Sequence, residues 1–508
     1  MSSYSVQTEN LIEELGGCGN LQVLLCLCIH SSNTIIFWSL LAMSFIGYTP
    51  DFSCKVLDVS QTSLSTLNLS NVSPDHLCFA GPNTTCSSYI FQQSANTIVT
   101  EWSLICDRRW IVAFITTLQM VGLVVGSIIA GQVADFLGRK TTIISGIAFV
   151  TIFNFIGLFT PSWKIYAAIR FFIGTGVGLS HTTQYTYMIE FVTSKWRPLV
   201  VCFPSSAIAG MLLAPVSWWL HDWRSLHLLK TIVGVLFFIM IWFFPESFRW
   251  LGAKMKFKRA KKSIKFIATV NRRKYPDLEE LFNRAKVEAV SNITMSSNFT
   301  NLLTSKELRN VTLPLSIVWF SVCLSWYCIS LGMEAVSVNV YLTILLMNFV
   351  DFPADLITAV FISRYGRKRF CLAIFCMSGI LCCAAGIFQH FDKLSKTSSS
   401  LMVTTLVVSI LAKFAVASAD RSVIVYTTEL YPTVIRTTGF SFQATVGRFG
   451  AIVSPFLIHI NGYFPGAMYV ICGVILVISS VCILFLRETK DLILQDYIRP
   501  DPSDLSTK

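Results

Sequence analysis

Twelve apolar runs, each about twenty residues long, recur along this chain: about 21–47, 110–134, 141–160, 165–189, 199–220, 228–245, 313–333, 338–363, 369–389, 401–428, 437–459 and 464–487. A run of that length crosses the hydrocarbon core of a bilayer as one helix. Spanning strands would alternate polar and apolar positions, and these runs do not. The fold class that follows is an all-α membrane protein of twelve transmembrane helices. The balance of 53% hydrophobic to 13% charged residues, with mean hydropathy +0.61, excludes a soluble domain of 508 residues, whose surface would need more charge. The first run is too long for the core of a cleavable signal and follows Glu9, Glu13 and Glu14 rather than a basic segment, so it is expected to stay as a helix.

The net charge of +12 raises nucleic acid as a partner, but the distribution of the charge excludes it. Lys and Arg crowd into "KMKFKRAKKSIKF" in 246–312 and "SRYGRKR" at 363–369, while short loops on the other side carry few. That asymmetry puts the basic loops and both termini (1–20 and 488–508) in the cytoplasm. The basic stretch reads as an amphipathic surface helix beside anionic lipid. The loop at 48–108 is then outside the cell. It holds Cys54, Cys78, Cys86 and Cys106, which suggest two disulfides in one of three pairings, and glycosylation acceptors at Asn68, Asn71 and Asn83. The sequons at Asn292, Asn298 and Asn310 fall on the cytoplasmic side and are decoys.

The halves repeat. "GQVADFLGRK" (131–140) is answered by "AVFISRYGRK" (359–368), Arg170-Phe171 by Lys413-Phe414, Glu190 with Arg197 by Glu429 with Arg436, and "PESFRWL" (245–251) by "LRETK" (486–490). Two six-helix halves, 21–245 and 313–487, joined by a cytoplasmic linker at 246–312, follow. Duplicated halves around a midplane site are the architecture of alternating-access carriers.

With "TEWSLICDRRW", "GSIIAGQVADFLGRK", "RFFIGTGVG", "PESFRWL" and "YTTELYPTVIRTTGFSF" in view, the chain from about 15 to 490 resembles the organic ion transporters (organic anion, organic cation and carnitine carriers) of the major facilitator superfamily. The resemblance implies a cavity lined by helices 1, 2, 4, 5, 7, 8, 10 and 11. It also implies an inner gate built from Asp135, Arg139, Glu190, Arg197, Glu246 and Arg249, mirrored by Arg367, Glu429, Arg436 and Glu488. Gly122, Gly126 and Gly131 lie on roughly one helix face and let a neighbouring backbone approach.

Arg448 lies near the middle of "QATVGRFGAIVSPFLI". A lone cation at that depth costs roughly 3 kcal/mol or more and is kept where it faces a cavity or a partner. A guanidinium grips a carboxylate with two hydrogen bonds. The resembling family has Arg here in anion and carnitine carriers, and tends to Asp in cation carriers. Lys413 and Asp420 share a face of helix 10, where Asp420 is expected to neutralise Lys413 or Arg448, or else to meet the cationic end of a zwitterion. Asp351 matches a family acid, whereas Asp355 and Arg421 depart from the pattern. Trp326 and Tyr327 align with a family aromatic pair facing the cavity; Asn33 resembles a polar position near the cavity and, as an intramembrane amide, can equally hydrogen-bond between helices. Tyr185, Tyr187, Trp218, Trp219 and Tyr341 are further aromatic candidates, although most tryptophans suit the membrane interface better. His30 and His181 read as packing or hydrogen-bonding residues rather than catalysts, with a proton relay open to His181.

No Walker motif, HExxH or G-x-S-x-G site occurs. No catalysis, cofactor or metal is expected. The expected function is alternating-access transport of small organic anions or zwitterions across the plasma membrane, with lipid as the surrounding partner. Two alternatives stand: an organic cation or carnitine-like carrier, and a non-transporting receptor or scaffold on a carrier fold.

Overall fold

The computed structural model describes residues 4–50, 52–55, 79–81, 84–85, 88–91, 96–193, 195–283, 306–332, 340–395, 399–431 and 436–489. Among them are twelve long helices. The first six are α1 Asn20–Leu41, α2 Trp110–Leu137, α3 Arg139–Gly157, α4 Trp163–Ile189, α5 Ser205–Leu220 and α6 Trp223–Trp242. The second six are α7 Lys306–Leu331, α8 Val340–Tyr365, α9 Arg367–Ser395, α10 Ser399–Leu430, α11 Arg436–Tyr463 and α12 Ala467–Leu484. Ten of these segments are long and apolar enough to span a bilayer on hydropathy alone; α4 and α11 fall short because they carry inward-facing polar side chains, among them Arg170, Gln184, Gln443 and Arg448. Helix α7 begins before its apolar run, its first turns resting on buried Leu308 and Thr312.

The packing repeats with the sequence. In the first half α3 and α2 lie on α4, α6 on α3 and α1 on α5; in the second α9 and α8 lie on α10, α12 on α9 and α7 on α11. The halves meet chiefly through α2 against α11 and α5 against α8, two contacts that the same pseudo-symmetry exchanges. Helices α2 and α4 touch backbone to backbone: a Cβ added at Gly122 or Gly126 would lie 2.0 or 2.1 Å from the carbonyl oxygens of Phe171 or Thr175. Small residues permit that approach where lipid supplies no hydrophobic drive between helices. Gly131 differs, for its open side faces Ser441 of α11 in the other half.

Outside this bundle, the helix Phe257–Val270 buries Ala260, Ile264, Ile267 and Ala268 and exposes Lys258, Arg259, Lys261, Lys262 and Lys265. That is the amphipathic arrangement its sequence requires. The N-terminal helix Tyr4–Glu14 packs Leu11 and Ile12 into the same core. On the opposite side, strand β1 (Phe52–Lys55) is followed by β2 (Phe79–Gly81), β3 (Thr84–Thr85) and β4 (Ser88–Phe91), with β1 antiparallel to β4. Glu101 of the "TEWSLICDRRW" stretch accepts two 2.7 Å hydrogen bonds from Arg224 and one of 2.9 Å from Trp223 Nε1, which pins this segment to the start of α6. Cys106 is disulfide-bonded. Cys78, Cys86, Asn68, Asn71 and Asn83, together with the side chain of Cys54, lie outside the described residues.

Candidate substrate site and inner turns

The polar side chains of the two halves converge in one buried layer between them. From α10, Lys413 donates to Ser330 of α7 at 2.6 Å, pairs with Asp351 of α8 at 3.2 Å and stands 4.4 Å over the Trp326 ring. One helical turn beyond Asp351, Asp355 takes a 3.0 Å bond from Arg421 Nε. Arg421 also donates to Tyr185 Oη of α4 at 3.1 Å and to Ser206 of α5, so one guanidinium ties the second half to the first. Fixed planar donors suit such a bridge.

Arg448 of α11 is 7% exposed. Its Nη2 donates to Nδ1 of His181 on α4 at 3.4 Å. A guanidinium has no lone pair to offer, so this ring nitrogen is the acceptor. Arg448 makes no ion pair with any described residue, and its Nη1 has no hydrogen-bond partner among them. An aromatic chain joins the two cations: His181 meets Phe37 edge-on at 5.8 Å, Phe37 meets Trp326 at 6.3 Å, and Trp326 meets Tyr327 at 5.1 Å.

Several sequence expectations are corrected here. Asp420 does not neutralise Lys413 or Arg448: Asp351 holds Lys413, and the half-buried Asp420 makes no ion pair or hydrogen bond with any described residue. Spacing along α10 showed that Lys413 and Asp420 share a face, but a neighbouring helix delivered a closer acid. Of the two roles open to Asn33, the described contacts give the bond between helices. It donates to Ser205 of α5 at 2.9 Å and serves as a bond between helices of one half. His30 bonds the same Ser205 and the Val200 carbonyl. Tyr187 turns toward the cytoplasmic end and donates to the Pro245 carbonyl, while Trp218 and Trp219 stand on the outer surface, the latter 76% exposed. The side chain of Tyr341 lies outside the described residues.

The cytoplasmic turns are near copies of each other. Arg139 pairs with Glu190 at 3.3 Å, as Arg367 does with Glu429 at 2.9 Å. Glu246 accepts from the backbone N–H of Lys140, and Glu488 from those of Arg367 and Lys368. Lys140 Nζ donates to the Trp242 carbonyl, and Lys368 Nζ to that of Leu484. Gly138 and Gly366 take φ of +116° and +100°, values that L side chains rarely adopt. These bonds all join elements within one half. Arg197 and Arg249 differ from expectation: both bind Glu9 of the N-terminal helix, at 2.8 and 2.7 Å. Sequence reading missed Glu9 because it lies far from either arginine along the chain and looked like one of several solvated acids. The side chains of Asp135 and Arg436 lie outside the described residues.

Residues 25–499 match the family "Sugar (and other) transporter". The chain is 28% identical to solute carrier family 22 member 6-A of Xenopus laevis, over 96% of this chain and 92% of that one. It is 31% identical to solute carrier family 22 member 13 of Homo sapiens, over 78% and 70%. It is 28% identical to the organic cation/carnitine transporter 2 of Homo sapiens, over 79% and 71%. The fold resembles a major facilitator superfamily proton:xylose symporter bound to 6-bromo-6-deoxy-D-glucose, with TM-score 0.68 and 15% identity over 94% of this chain and 98% of that one. The chain therefore belongs to the sugar (and other) transporter family of the major facilitator superfamily, and its relatives place it with the organic ion transporters of solute carrier family 22. It is a multi-pass membrane transporter and not an enzyme.

Proposed function

We propose that this protein moves small organic anions or zwitterions across the plasma membrane by alternating access, with both termini in the cytoplasm and Arg448 as the anchor for a substrate carboxylate. One contrast supports this reading. Among the described residues three cations occupy the central layer, and two of them, Lys413 and Arg421, already hold protein carboxylates. Among the described residues Arg448 holds only a neutral acceptor, which leaves its charge for cargo. A buried guanidinium gains a charge-assisted, two-pronged bond when a carboxylate arrives. Trp326 and Tyr327 supply the apolar wall beside it. The bond from Arg421 to Tyr185 and Ser206 joins the halves across the centre and must break for them to separate.

Uptake of a labelled panel of organic ions into proteoliposomes tests the proposal. Arg448→Asp should lower organic anion uptake more than tenfold, as expected from losing a charge-assisted contact of about 1.5–3 kcal/mol. Equal anion uptake by the variant would refute the anchor. The rival reading is an organic cation or carnitine-like carrier; its cation form rests on Asp420, which has no ion pair or hydrogen bond among the described residues, and predicts that Arg448→Asp keeps or gains cation uptake, while Asp420→Asn loses it. If no labelled organic ion accumulates, a receptor or scaffold role replaces the carrier.

A further inference from the structure

A second group of buried cations lies within the first six helices, apart from the central layer. Arg170 of α4 and Lys230 of α6 are both fully buried. Arg170 donates once, to the Ser39 carbonyl at 3.2 Å, while its Nε and Nη1 have no partner among the described residues. Lys230 Nζ has none. Each stands about one helical turn beyond a residue of the Tyr166–His227 hydrogen bond, 3.0 Å long, so the two side chains lie at one level of adjacent helices. The polar groups around them are already committed. His227 bonds Asn154 Oδ1 at 2.9 Å through Nδ1 and Tyr166 Oη at 3.0 Å through Nε2. Since the Asn154 oxygen can only accept, His227 carries a proton on Nδ1. No described Asp or Glu pairs with either cation.

The internal repeat shows what is missing. Arg170 corresponds to Lys413, which is neutralised by Asp351 of α8. The offset that relates α2 to α8, fixed by the two GRK turns, puts Leu123 opposite Asp351 and Ser127 opposite Asp355. The first half thus keeps the cation of the repeat, lacks both acids and adds a second cation on α6. Uncompensated charge in a bundle interior is costly, and buried charges are otherwise paired.

We propose that the first half holds a small inorganic monovalent anion of the chloride class between Arg170 and Lys230, as a resident counter-ion distinct from cargo. The unmet donors of both side chains point to a ligand that only accepts. Both side chains are fully buried among α1, α3, α4 and α6, so the ligand must be small.

The test is thermal unfolding of the purified full-length protein at constant ionic strength, with chloride exchanged for gluconate. A saturable rise in midpoint of about 2 °C or more with chloride is expected, since a ligand that binds only the folded state stabilises it by mass action. Arg448→Gln should retain the rise, which separates this site from the substrate anchor. Lys230→Met should abolish it and match the native protein in gluconate, while Lys230→Arg should keep it. If Lys230→Met does not fold, the Arg448→Gln background decides: a retained chloride response supports the site, and its loss assigns the anion to the central layer. No chloride response in the native protein, or an undiminished one in Lys230→Met, would overturn the proposal.

Discussion

Lys413 and Asp351 show how a charge survives at membrane depth. Each is almost fully buried, and each answers the other at 3.2 Å. Removing one partner leaves the other uncompensated, which typically costs about 3–5 kcal/mol, whereas replacing both with apolar groups is often neutral. Lys413→Met and Asp351→Leu alone should therefore lower the unfolding midpoint and the amount of protein at the cell surface, and the double substitution should restore both. Thermal scans of the three variants check this. Sequence showed that these charges exist and that their depth demands a reason; it did not show which acid meets which base. Asp351 and Asp420 compete for Lys413, one from another helix and one from its own, and only packing decides. The depth argument that singled out Arg448 applies equally to Arg170 and Lys230, so that signal was present and unused.

Elements were far more legible. Lipid leaves a helix few options, so each apolar run holds one long helix; the bounds differ where polar turns extend a helix, as at the start of α7, and where a run is broken, as before Ser205 of α5 and after Leu41 of α1. The repeated turns were legible as motifs because a residue with positive φ must sit where the chain reverses between α2 and α3 or between α8 and α9. An added Cβ at Gly138 would lie 2.3 Å from Glu246 Oε2, and one at Gly366 would lie 2.9 Å from Glu488 Oε2. Gly138→Ala should cost about 1–3 kcal/mol from backbone strain alone, and more than Gly366→Ala, which a comparison of thermal midpoints measures. The N-terminal helix was not legible as a partner of the turns. Glu9→Gln should remove the shared anion of Arg197 and Arg249, a half-exposed contact worth about 1 kcal/mol, and speed amide exchange across residues 4–14.

For the molecule as a whole, alternating access requires α2 and α11 to separate on one side during each cycle. The Cβ that Gly131 lacks would stand 3.7 Å from Ser441 Cβ. That separation suits a disulfide. A Gly131→Cys/Ser441→Cys variant should lose uptake on oxidation and regain it with reductant, while each single variant should not respond. Uptake that persists through complete cross-linking would contradict motion at this contact.

The copied turns carry one further consequence. Their ion pairs close within each half, so the charges can remain together while the halves rock apart. Dissolved electrolyte weakens attractions between exposed groups over about 8–10 Å at ordinary concentrations. Because these attractions are not broken in the cycle, turnover should change little when an inert electrolyte is raised severalfold on the cytoplasmic face.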